Sequence, residues 1–155
     1  PVLTPWYAPL AVLGATALLL RRVDERPWDD VGLGRAAFAP RQWATGLAIG
    51  TVAVAVPVVL LVATGLLAHR RGSEGPVLAA MATTAWALLP PALTEELVMR
   101  GYPFALLRQA IGWPVATALT AVAFGLAHLG NPGVTAQAIA LVIAAGIWLA
   151  LVRLV

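Results

Sequence analysis

The chain has 155 residues, 61% of them hydrophobic and 11% charged, with a mean hydropathy of +0.87 and a net charge of +3. Typical soluble domains are about 45–50% apolar and about 25% charged, so too few charged side chains are present to coat a water-soluble bundle, and an all-α polytopic membrane protein is expected. Cysteine and lysine are absent, which excludes a disulfide framework and thiolate chemistry; the pI of about 10.6 implies no nucleic-acid partner, because most arginines fall in short connections, where membrane topology puts them.

The first apolar run is Pro5–Leu20, closed by Arg21-Arg22. A charged segment follows, RRVDERPWDDVGLGRAAFAPRQW, with five arginines and four acids. It reads as a surface loop with a short amphipathic piece, and Trp28 and Trp43 suit headgroup depth. The arginine excess makes loop 21–42 cytoplasmic by the positive-inside rule. A second span, Trp43–Ala68, tolerates Pro57 as a kink, and residues 69–76 form a polar turn around His69.

The third segment is helix-compatible from Val77 to about Gln109, near 50 Å as one rod and too long for the hydrocarbon core. Pro90-Pro91 is expected to break or bend it. Gly112 and Pro114 make the next turn, a fourth span runs Trp113–Leu129, and Gly130-Asn131-Pro132-Gly133 stops it. A fifth covers Val134–Val155, with Gln137 expected to hydrogen-bond between helices. The result is a bundle of about five spans in a single membrane-embedded domain, 1–155. The chain opens on Pro1 and is still apolar at Val155, so it reads as truncated at both ends. Its lysine-free, alanine-rich composition suggests a bacterial source and hence the cytoplasmic membrane.

The chemistry concentrates in a hairpin over residues 92–130. Ionisable groups in a membrane helix cost roughly 2.5–3.5 kcal/mol each on insertion scales and mark function by default. Glu95, Glu96 and Arg100 fall within six residues. Glu96 and Arg100 are i and i+4 and can pair, which as a purely structural ion pair would need no further role. Glu95 is turned about 100° away and is left for something else. His128 is the candidate: Glu95 lies about 17 residues before the turn and His128 about 16 after it, so both stand roughly 24–26 Å up their helices. Phe124, one turn before His128, can pack against its ring. A glutamate and a histidine converging on one water can activate it by general acid–base catalysis. Alternatively Glu95, Glu96 and His128 are acceptable zinc ligands.

These residues resemble a known family. Glu95-Glu96-Leu97-Val98-Met99-Arg100-Gly101 fits an EExxxR signature, and Phe124-Gly125-Leu126-Ala127-His128 an FxxxH signature. Together and in this order they are similar to the CPBP family of intramembrane proteases, also called Abi or CAAX-protease-like, which includes CAAX prenyl endopeptidases and proteins linked to bacteriocin processing and self-immunity. The resemblance covers about residues 77–133. It implies that Glu95 is the catalytic glutamate, that His128 shares its water, and that Glu96, Arg100 and Phe124 support them, with no cofactor required. The family's later motif, a histidine four residues before an asparagine, is not found after His128 and is expected beyond Val155. The implied activity is endoproteolysis of a membrane-associated peptide or protein. A non-catalytic membrane scaffold or immunity protein, and a proton-coupled transporter using Glu95 as relay, are the alternatives.

Overall fold

The computed structural model describes residues 6–68 and 76–153. Among these every regular element is helical: α1 (Tyr7–Arg22), α2 (Pro40–Ala63), α3 (Val77–Arg100), α4 (Tyr102–Ile111), α5 (Trp113–Ala127) and α6 (Ala136–Val152), with 3-10 turns at Trp28–Val31 and Arg35–Phe38 between α1 and α2. Among the described residues two stretches are long and apolar enough to cross a membrane, Pro40–Ala63 and Val77–Ile111, and α5 and α6 are shorter apolar helices. The polar turn expected around His69 lies, for 69–75, outside the described residues.

Local chemistry explains most boundaries. Pro40 opens α2 and Pro114 lies in the first turn of α5, where a missing N–H costs nothing. α4 ends at Gly112, whose φ of +81° is left-handed and suits glycine alone. Thr135 caps α6 by accepting from the Ala138 N–H at 3.1 Å.

Of the break or bend expected at Pro90-Pro91, the break is not made there. α3 runs unbroken through Pro90-Pro91, with the Thr94 hydroxyl donating to the Pro90 carbonyl at 2.8 Å. Proline removes one backbone bond and bends a helix more readily than it ends one when neighbours shield the freed carbonyl. The break comes ten residues later at Gly101, where ψ is −126°. A Cβ there would overlap the Leu97 carbonyl oxygen, so glycine is required for the chain to turn. The hairpin expected over 92–130 is thus the end of α3, the short α4 and α5, with the turn split between Gly101 and Gly112.

The core lies among α3, α4, α5 and α6. Phe104, Ala116 and Ala150 are buried together. Small residues let α5 and α6 approach: Gly125 lies against Ile143, and a Cβ on Gly146 would stand 3.0 Å from the Ala121 Cα. A second cluster joins Leu20, Val31 and Ala105 with Trp28 and Tyr102 packed on it. It docks the first loop onto α4, and Tyr102 donates to Asp24 at 2.6 Å, while Arg26 donates to Gln109. Trp28 thus packs inside, whereas Trp43 is exposed on α2. α2 buries no residue at all, an apolar cylinder that bilayer lipid would cover. Gln137, expected between helices, is exposed in the first turn of α6.

Candidate active site

Arg100 is the centre of the site. It closes the last turn of α3 and is only 2% exposed. Its Nη1 donates to Glu96 Oε1 at 3.0 Å across one helical turn, the pair expected from i, i+4 spacing. Its Nη2 donates to the Gly146 carbonyl on α6 at 3.2 Å. Its guanidinium lies over the Phe124 ring, 4.4 Å from the centroid, a cation–π contact of the desolvated and therefore stronger kind. Gly146 is glycine for this reason among others: a Cβ there would come within 3.3 Å of Arg100 Nη2.

Phe124 carries the connection onward. Its ring meets the His128 imidazole edge-on, with centroids 4.7 Å apart. His128 caps the C-terminus of α5 rather than lying inside the span, and is half-buried. Its Nδ1 is 2.7 Å from the Phe124 carbonyl oxygen. A carbonyl only accepts, so Nδ1 is the donor of this bond, which leaves Nε2 for other partners.

The contacts also fix the helix directions. Gly146 meets the Arg100 side chain, while Arg153, two turns further along, donates from Nε to the Arg100 carbonyl at 3.3 Å. Side chains lean toward the helix N-terminus, so α3 and α6 run the same way. α5 runs against α6, because Ala121 meets Gly146 and Gly125 meets Ile143. One turn back along α3 from Arg100 is Glu96, and one turn on along α5 from Phe124 is His128. Both steps go the same way by about 6 Å, so Glu96 and His128 lie on the same side of the Arg100–Phe124 contact.

Glu95 and His128, expected to converge on one water, make no direct hydrogen bond or ion pair. Among the described residues Glu95 takes part in no ion pair or side-chain hydrogen bond, and the one ion pair is Glu96–Arg100. The reason is helical rotation. Glu96 shares the Arg100 face; Glu95, about 100° round, borders a cavity of about 390 Å³ lined with Ala8, Ala87, Pro91 and Thr94 between α1 and α3. Among the described residues no three His, Asp or Glu side chains gather closely enough to hold a metal ion, and Glu95, Glu96 and His128 form no such set.

Four participants escaped the sequence reading: Gly101, Gly146, Arg153 and Gly32, against which Arg153 packs. For the glycines the signal was small residues inside or beside apolar helices, which mark close backbone approach; for Arg153 it was a charge within an apolar run.

Comparison with known proteins gives one finding. The family model described as "Type II CAAX prenyl endopeptidase Rce1-like" matches residues 77–155, just over half of the chain. No curated protein and no solved structure matches. The matched segment opens at the first residue of α3 and contains the whole Glu96–Arg100–Phe124–His128 chain of contacts. The chain belongs to the type II CAAX prenyl endopeptidase Rce1-like family, a family of proteases.

Proposed function

We propose that this protein is a CPBP-type intramembrane endopeptidase that hydrolyses a peptide bond of a membrane-associated peptide or protein, using Glu95 as general base and His128 to hold the attacking water. The observation that carries the reading is the division of labour between adjacent glutamates. Arg100 binds the Glu96 carboxylate, while among the described residues Glu95 makes no ion pair, and the Nδ1 of His128 is already occupied. A water between them would give one proton to Glu95 while accepting orientation from Nε2. Its oxygen attacks the scissile carbonyl, and Glu95 returns the proton to the leaving amine. Glu96 and Arg100 hold Phe124, and Phe124 holds the imidazole. The surrounding protein is proposed to be one membrane-embedded bundle of about five spans in a bacterial cytoplasmic membrane, with loop 21–42 on the cytoplasmic side. The substrate is a bacteriocin-like peptide or a membrane protein, in keeping with processing or self-immunity.

The test uses the full-length protein in bilayers against a panel of membrane peptides, with products read by mass spectrometry. Glu95→Gln and His128→Ala should each lower cleavage at least about 10²-fold, the usual size of a general acid–base contribution, and Glu96→Ala should hurt less. Wild-type rates from either of the first two would refute the assignment; a greater loss from Glu96→Ala would exchange the roles of the two glutamates. Cleavage should survive exhaustive chelation. Loss on chelation with recovery on adding zinc would instead make Glu95 and His128 ligands.

One observation favours a second reading, that of a non-catalytic membrane scaffold: Glu95 and His128 do not touch. A scaffold gives no product with any peptide and is indifferent to Glu95→Gln.

A further inference from the structure

Arg153 stands just past the last turn of α6, outside both sequence signatures. Among the described residues it makes no ion pair with an acid; its partners are backbone. Nε donates to the Arg100 carbonyl at 3.3 Å. That carbonyl is at the last residue of α3, where Gly101 leaves the helical conformation and the final helix carbonyls lose their ordinary donors. A cation is also the charge that a helix C-terminus favours. The guanidinium then lies on Gly32, the cap of the first 3-10 turn, where φ is +70° and a Cβ would overlap Cζ, Nη1 and Nη2 together. One side chain therefore joins α6, the end of the motif helix and the first loop.

Arg100 is consequently held at both ends by α6. Gly146 accepts from its guanidinium and Arg153 donates to its carbonyl. We propose that Arg153 is a positioning residue for the site. By fixing the Arg100 backbone against α6 and the first loop, it sets the point from which the Arg100 side chain reaches Glu96 and Phe124, and through Phe124 the His128 ring. The catalytic part of this inference rests on the hydrolytic reading above; the positioning part does not.

The experiment has two independent readouts on the full-length protein. The first is the His128 ring resonance, identified by its loss in a His128→Gln control and followed by NMR without substrate. The Phe124 ring stands edge-on to the imidazole, so any shift of Arg100 beneath Phe124 changes the ring current at His128. Arg153→Gln should move that resonance, and Arg153→Lys, which keeps a cationic donor, should move it less. Gly32→Ala should reproduce the Arg153→Gln shift by displacing the guanidinium, and should add nothing in an Arg153→Gln background. The second readout is kinetic: Arg153→Gln should lower kcat about tenfold with KM within about twofold, a loss confined to transition-state stabilisation, and Arg153→Lys should recover most of it. An unmoved His128 resonance in Arg153→Gln overturns the proposal, and so does a lowered unfolding temperature with the resonance and kcat unchanged, which is the behaviour of a brace. If the wild-type protein cleaves nothing, the hydrolytic reading fails, and the NMR series still decides whether Arg153 positions His128.

Discussion

Removing one member of the Glu96–Arg100 pair should not be equivalent to removing the other. The Arg100 guanidinium is 2% exposed and the Glu96 side chain 43% exposed. Glu96→Leu strands a buried cation, which in general costs about 3–5 kcal/mol. Arg100 keeps Gly146 and Phe124, so the expected cost falls to about 2–3 kcal/mol. Arg100→Leu leaves only the partly exposed carboxylate of Glu96, forfeits about 1–2 kcal/mol of cation–π attraction, and recovers the desolvation penalty of the guanidinium, several kcal/mol in other buried ions. Its net cost should be about 0–2 kcal/mol, and Glu96→Leu/Arg100→Leu should resemble Arg100→Leu alone. Detergent titration in mixed micelles, followed by helical circular dichroism, supplies the double-mutant cycle. Arg100→Leu should nonetheless lose cleavage about 10²-fold, a 1 Å misplacement of catalytic groups being enough for that. An Arg100→Leu variant less stable than Glu96→Leu would refute the reasoning, because it would mean that Arg100 is kept for stability.

Two glycines give sharper structural tests. Gly101→Ala puts a methyl group into the Leu97 carbonyl oxygen, which is backbone and cannot swing away; a loss of about 2–3 kcal/mol is expected from strain of this kind, measured by the same detergent titration, and a fully stable variant would show that the α3–α4 break tolerates a side chain. Gly146→Ala meets Ala121 at 3.0 Å and Arg100 Nη2 at 3.3 Å, so it should cost about 1–3 kcal/mol and lower cleavage together with stability; unchanged activity would detach Gly146 from the site.

What could be read in advance was whatever lies within one helix. The spans follow from runs of apolar residues, and both Glu96–Arg100 and Phe124–His128 follow from i, i+4 spacing. At Pro90-Pro91 sequence leaves break and bend equally open, because proline's effect depends on what surrounds the freed carbonyls, whereas Gly101 ends the helix through a clash visible only in three dimensions. Contacts between helices were illegible for a related reason. α3, α5 and α6 are apolar nearly all round, so hydropathy does not say which face turns inward. Lipid tails are as oily as leucine, and rotation is set by where backbones can approach: Gly125 on Ile143, Gly146 on Ala121, Arg153 on Gly32.

That same rotational freedom bears on the two glutamates. Adjacent residues of a helix point about 100° apart, so no arrangement of α3 aims Glu95 and Glu96 at one target. Once Gly146 and Phe124 claim Arg100, Glu96 is turned inward with it and Glu95 must face α1 and the cavity beside Ala8. A direct Glu95–His128 bond would require α3 to rotate and surrender the Arg100 contacts. In the proposed mechanism a water, rather than a direct bond, links Glu95 to His128. On the proposed mechanism the arginine does not assist the base by touching it. It occupies the neighbouring carboxylate, and by doing so it would decide which of two chemically identical side chains is left to react.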